Sequence, residues 1–111
     1  MDRHVFMLRN GDSFWVWNVE FHGREERRET FPRLVEGPEG VGRGGTVSYT
    51  VESAHVSFCA APGTVHIGQW GQLSSAEKHF YLVKVSYIEL ASGHVIVSGD
   101  ATRTFEDQEH R

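Results

Sequence analysis

An all-β fold is predicted by three observations on the 111-residue chain. Short runs rich in aromatic and β-branched residues recur along it. Turn signals built on Gly, Pro, Asn and Ser separate them. No stretch carries the 3.6-residue apolar period of a helix. About eight short strands with such punctuation imply a sandwich or a small barrel.

The elements read in order as follows. Val5–Arg9 is a short strand closed by Asn10-Gly11-Asp12. Phe14–Phe21, "FWVWNVEF", is a second. Strict alternation places Trp15, Trp17, Val19 and Phe21 on one face, with Phe14, Val16, Asn18, Glu20 and His22 on the other. "GREERRE", Gly23–Glu29, is nearly all charge and too short for a stable helix, so it reads as a solvated connection. Thr30–Val35 is a strand, and Gly37–Gly45, "GPEGVGRGG", is a glycine-rich turn. The run contains G-x-G-x-x-G at Gly40, Gly42 and Gly45. A nucleotide-binding loop needs a helix after it to hold the phosphate. The alternating strand "TVSYTVE" follows instead, which excludes that reading. His55–Ala60 and Val65–Trp70 read as strands around the Pro62-Gly63 turn. "SSAEKH" has room for one helical turn. Phe80–Leu90 is the longest β run, and "ASG" turns it into His94–Ser98. The tail from about residue 106, "EDQEHR", is polar and expected to fray.

Composition bounds the function. The length suits one domain, 1–111, with a core of its own. Net charge is −4, which argues against nucleic acid, since phosphate binding needs clustered Lys and Arg. No apolar run reaches the roughly 20 residues of a membrane span. A single cysteine, Cys59, forbids an internal disulfide, and no signal peptide is apparent. A cytoplasmic protein is the expectation.

From Leu34 onward the order is "LVEG", a glycine-rich turn, "GGTVSYTVE", "HVSFCAAPGTVH" and "HFYLVKVSYIE". This pattern resembles the cupin superfamily, whose domains are double-stranded β-helix (jelly-roll) barrels. It is most similar to the sugar-sensing cupin domains of arabinose-regulator-like transcription factors. Leu34–Gly37 looks like the end of the family's first motif. Ala61, Pro62, Gly63 and His66 look like the end of its second, with alanine where the first proline usually stands. The resemblance covers about residues 30–90 and implies a jelly roll, with an immunoglobulin-like sandwich as the competing architecture. Arg24, Glu26 and Thr30 stand where the family's first-motif metal ligands would fall. Ser53-Ala54-His55 replaces the usual Gly-Asp before the second motif. Only His66 matches a ligand, and one histidine does not hold a transition metal, so no metal or other cofactor is expected.

The candidate ligand-binding residues are His66, Trp70, Trp17 and Tyr49. On one strand His66 and Trp70 share a face, pairing a polar handle with a stacking platform for a sugar-like or small polar ligand. Core filling by the aromatics is the competing reading. Glu20, His22 and Glu26 form the one close cluster of candidate metal ligands, with Glu20 and His22 on one strand face, but a solvated surface pair is the expectation. Cys59, among Phe58, Ala60 and Ala61, reads as a buried inert thiol. No catalytic residues emerge. The expected function is a small non-enzymatic binding domain of cupin type with an aromatic pocket near His66. The alternatives are a structural or interaction protein (a viral component or an inhibitor) acting through its outer β-surface, and a metal-dependent cupin enzyme. Exposed strand edges predict a homodimer.

Overall fold

A computed structural model describes residues 4–36, 42–75 and 80–106. The all-β expectation holds, with six strands among the described residues rather than eight. They are β1 (His4–Leu8), β2 (Ser13–Glu36), β3 (Gly42–Ala60), β4 (Trp70–Ser75), β5 (Phe80–Leu90) and β6 (Val95–Glu106). All pairings are antiparallel, in the order β1-β2-β3-β6-β5-β4. β1 pairs with β2 on one side and with β4 on the other, so the ladder closes into a ring.

The smaller count arises because two pairs of expected strands are continuous. Phe14–Phe21 and Thr30–Val35 both lie in β2, joined by the charged run Gly23–Glu29 that read as a connection. A charged stretch forms strand here because it leaves the ring and both its faces meet water. Arg27 pairs with Glu29 at 2.6 Å along the same edge. Likewise Thr46–Glu52 and His55–Ala60 are one strand, β3. Gly42–Gly45 belong to β3 as well, not to a turn. Residues 37–41 of the glycine-rich run, 76–79 of "SSAEKH" and 107–111 of the tail lie outside the described residues.

The far halves of β2 and β3 form an arm. β6 joins β3 only from Tyr49, opposite Glu106, so among the described residues Gly42–Ser48 pair with β2 alone. The molecule is 63 Å long and 28 × 24 Å across. Its radius of gyration, 18.0 Å, exceeds the roughly 13 Å of a compact chain this long. Thr30 and Ser48 hydroxyls, 3.2 Å apart, bridge the arm's two strands.

Two bulges in β2 set which side chains enter the ring. Register slips between Trp17 and Glu20, and again between His22 and Glu25. Asn18 (φ 53°) and Gly23 (φ 61°) occupy the left-handed region there, one tolerated by asparagine and the other free for glycine. The first bulge reverses the alternation read from sequence. Phe14 and Val16 face the core before it, and Val19 and Phe21 pack on the core after it, while Trp15 and Trp17 point out.

The interior is filled. Phe6, Val56, Phe58, Leu73, Val83, Val85 and Val97 are each at most 1% exposed. Phe6 stacks against Phe14 and Phe58 at 5.9 and 5.2 Å between centroids. Where the ring opens toward the arm, Glu52 is the buried charge among the described residues. It accepts a hydrogen bond from the Tyr81 hydroxyl at 2.9 Å and from Arg24 at 3.4 Å. Phe21 lies 4.7 Å from the Tyr81 ring and beneath the Arg24 guanidinium. Burial raises the Tyr81 pKa above the usual 10, and the bond to Glu52 and that carboxylate's charge raise it further. The unfolded tyrosine loses its proton first, so stability is expected to fall as pH rises past 10 toward the folded value. Tyr81→Phe should cost about 1–3 kcal/mol at neutral pH, because Glu52 loses a buried partner. It should also flatten the alkaline loss, which urea unfolding across pH 8–11 (about that span) measures.

Candidate functional site

The structure separates the four candidate residues. Val65–Trp70 is a turn, not a strand, and only Trp70 enters β4. The His66 amide donates to Gln69 Oε1 at 2.8 Å, and its carbonyl accepts from the Gln69 amide at 3.3 Å. Gly68 takes a left-handed conformation (φ 89°) within this turn. His66 is exposed there, so a shared strand face with Trp70 is corrected to a turn position and a strand position. Trp17 lies on the outside, its ring 6.2 Å from that of His94. Tyr49 stands at the root of the arm, 5.8 Å from Phe31. Trp17 pairs with Cys59, ten residues along β3 from Tyr49. At about 3.3 Å per residue, these two aromatics are roughly 33 Å apart. Trp70 is on β4, across the ring from β3.

What the fold does gather is an apolar outer face over β1, β4, the start of β5 and the start of β2. The register builds it row by row. Trp15 pairs with Val5, Val5 with Ser74, and Ser74 with Phe80. Met7 pairs with Gln72, and Gln72 with Leu82. Trp70 pairs with Lys84, whose ammonium lies 5.7 Å from the centre of its ring. The inward neighbours Phe6, Leu73, Tyr81 and Val83 are buried, so these side chains point out. Trp15 is 60% exposed, Leu82 51%, Phe80 50%, Trp70 41% and Met7 40%. The register makes them neighbours on one surface.

A depression of about 550 Å³ lies in this face, bordered by Met7, Leu8, Arg9, Trp70, Gln72 and Leu82. Of the four candidates from sequence it holds Trp70 alone. Met7, Trp15, Phe80 and Leu82 are not among those four, although a signal for them exists. "HVFML", "FWVW" and "FYLV" are apolar at both parities. In an antiparallel strand one apolar face serves the core and the second must be covered by something else.

Among the described residues, no group of three or more His, Cys, Asp or Glu side chains comes together as metal ligands would. No described helix is long and apolar enough to cross a membrane. Cys59 is buried, within 3.8 Å of the Asn18 amide group. No protein-family model matches the chain, nor does any curated protein or solved structure.

Proposed function

We propose that the chain is a protein-interaction module that binds through the outer face of β1, β4 and β5. The observation that carries this reading is the contrast between a filled interior and an apolar exterior. The exposed fractions of Trp15, Leu82, Phe80, Trp70 and Met7 together equal nearly two and a half whole side chains. At roughly 200 Å² per large side chain, that is about 500 Å² of apolar surface. A standard interface buries about 800 Å² per partner, a little over half of it apolar. The face therefore has the size and composition of one side of such an interface, and it is near the top of the range for monomer surface patches. A homodimer is one form this binding takes.

A ligand-binding domain of sensor-type cupin character, with jelly-roll architecture, is the second reading. The depression beside Trp70 supports it, since about 550 Å³ suits a small molecule. The two readings differ in what touches the face. A photoreactive benzoylphenylalanine at position 82, with one at position 55 on β3, across the ring from β4, as control, tests the first. A protein adduct, to a second copy or to another chain, is expected from position 82.

A further inference from the structure

We propose that the depression around Trp70 takes a bulky apolar side chain carried on an acidic segment of a partner protein. The inference rests on reading this face as an interaction surface, and it adds the partner's chemistry. Three features of the site argue for it.

The floor is apolar. Met7, Leu8, Trp70 and Leu82 border the space, with the backbone of Gly71 beside them. No Cβ fits at Gly71, because the ring of Phe6 beneath it occupies that place. A cleft of this kind suits an anchor side chain desolvated at the centre of an interface.

The flanks are cationic. Leu8, the last residue of β1, pairs with Gly71, Arg9 follows it in the turn, and Trp70 pairs with Lys84. Arg9 thus borders the depression from the turn after β1, and the Lys84 ammonium lies 5.7 Å from the centre of the Trp70 ring. The described parts of β1 and β4, and β5 as far as Lys84, contain no carboxylate. Two carboxylates stand beside these cations in sequence or register, and both have other partners. Asp12 accepts from the Asn10 side-chain amide at 3.0 Å, and Asp100, opposite Lys84, lies 3.5 Å from His55 Nδ1. This pair of cations, with Arg9 at the border and Lys84 over the Trp70 ring, stands beside the apolar space. It attracts an acidic segment and disfavours a basic one.

The third feature is Gln72, which projects between Met7 and Leu82 at the edge of the depression. Its amide offers donors and an acceptor to the backbone of an extended segment. Apolar floor, cationic flanks and one amide together fit an acidic segment with a single large apolar residue.

Three nine-residue peptides test this, each with a central leucine flanked by glutamates, by glutamines or by lysines. They are titrated into ¹⁵N-labelled protein, and the Trp70 indole and Gln72 side-chain amide signals are followed. The glutamate peptide is expected to shift both signals and to bind about tenfold tighter than the glutamine peptide, with the lysine peptide weakest. The advantage should vanish at about 1 M salt, where the screening length is ~3 Å. It should also vanish in the Arg9→Glu, Lys84→Glu double variant, whose unchanged spectrum elsewhere shows that it folds. Equal binding of the glutamate and glutamine peptides overturns the acidic chemistry and leaves the apolar interaction face standing. No shift at Trp70 or Gln72 with any peptide overturns the inference outright. The interaction reading then stands or falls separately, on whether position 82 crosslinks to protein.

Discussion

Phe6→Ala is expected to destabilise the protein by about 4 kcal/mol, in the middle of the range for removing a buried phenylalanine. Phe6 is fully buried in a five-residue strand that closes the ring between β2 and β4. Its ring touches Phe14 and Phe58, and it lies directly beneath Gly71. Little around it can collapse into the space, because every neighbour is held in a sheet. Equilibrium urea unfolding measures the loss. The variant has a second, independent readout. If the native interior is full, only the truncated protein should bind benzene or xenon inside, as dry apolar cavities do. Native protein that binds either in the core would show that the ring holds a cavity after all.

Gly99→Ala is the other large loss, about 3 kcal/mol, at the upper end for overpacking. Gly99 faces inward on β6 between Val97 and Ala101. It pairs with Val85, next to the register slip between Val85 and Tyr87. A methyl group here would collide with the backbone carbonyl oxygen of Lys84, lie 2.9 Å from its carbon and sit 3.1 Å from Val83 Cγ1. Backbone cannot swing aside as a side chain does, so the bulge itself must move. Gly44, around whose Cβ position there is open space, is the control. Gly44→Ala should change stability by less than about 1 kcal/mol. A Gly99→Ala protein as stable as that control would mean the bulge is absent.

The strands were legible because their residues are β-branched and aromatic, and because the turns carry their own chemistry. Pro62-Gly63 is a turn with Gly63 at φ 81°, and Ser92-Gly93 turns β5 into β6 with Gly93 at φ 77°. Strand length was not legible. A strand that leaves the ring has no buried face, so Gly23–Glu29 carries the composition of a loop. The faces were misread for a different reason. A bulge shifts parity by one residue, and nothing in "WNVEFHG" marks Asn18 as left-handed rather than extended. The choice of His66 followed motif spacing, but a turn closed by the Gln69 side chain removes it from the strand. The outer apolar face escaped notice because "FYLV" is apolar at both parities. Only the register shows that Leu82 looks out while Tyr81 and Val83 look in.

The exposed face of β1, β4 and β5 is the centre of this account, and photo-crosslinking from single positions measures it most directly. Benzoylphenylalanine is placed at Leu82 on that face, at His66 in the turn and at His55 on β3, across the ring from β4, one position per protein. All three positions are exposed, so reagent access is comparable. The account predicts a discrete protein adduct from position 82 that Trp15→Glu abolishes, with none from position 55. Adducts from position 66 alone, or from all three positions equally, would contradict it.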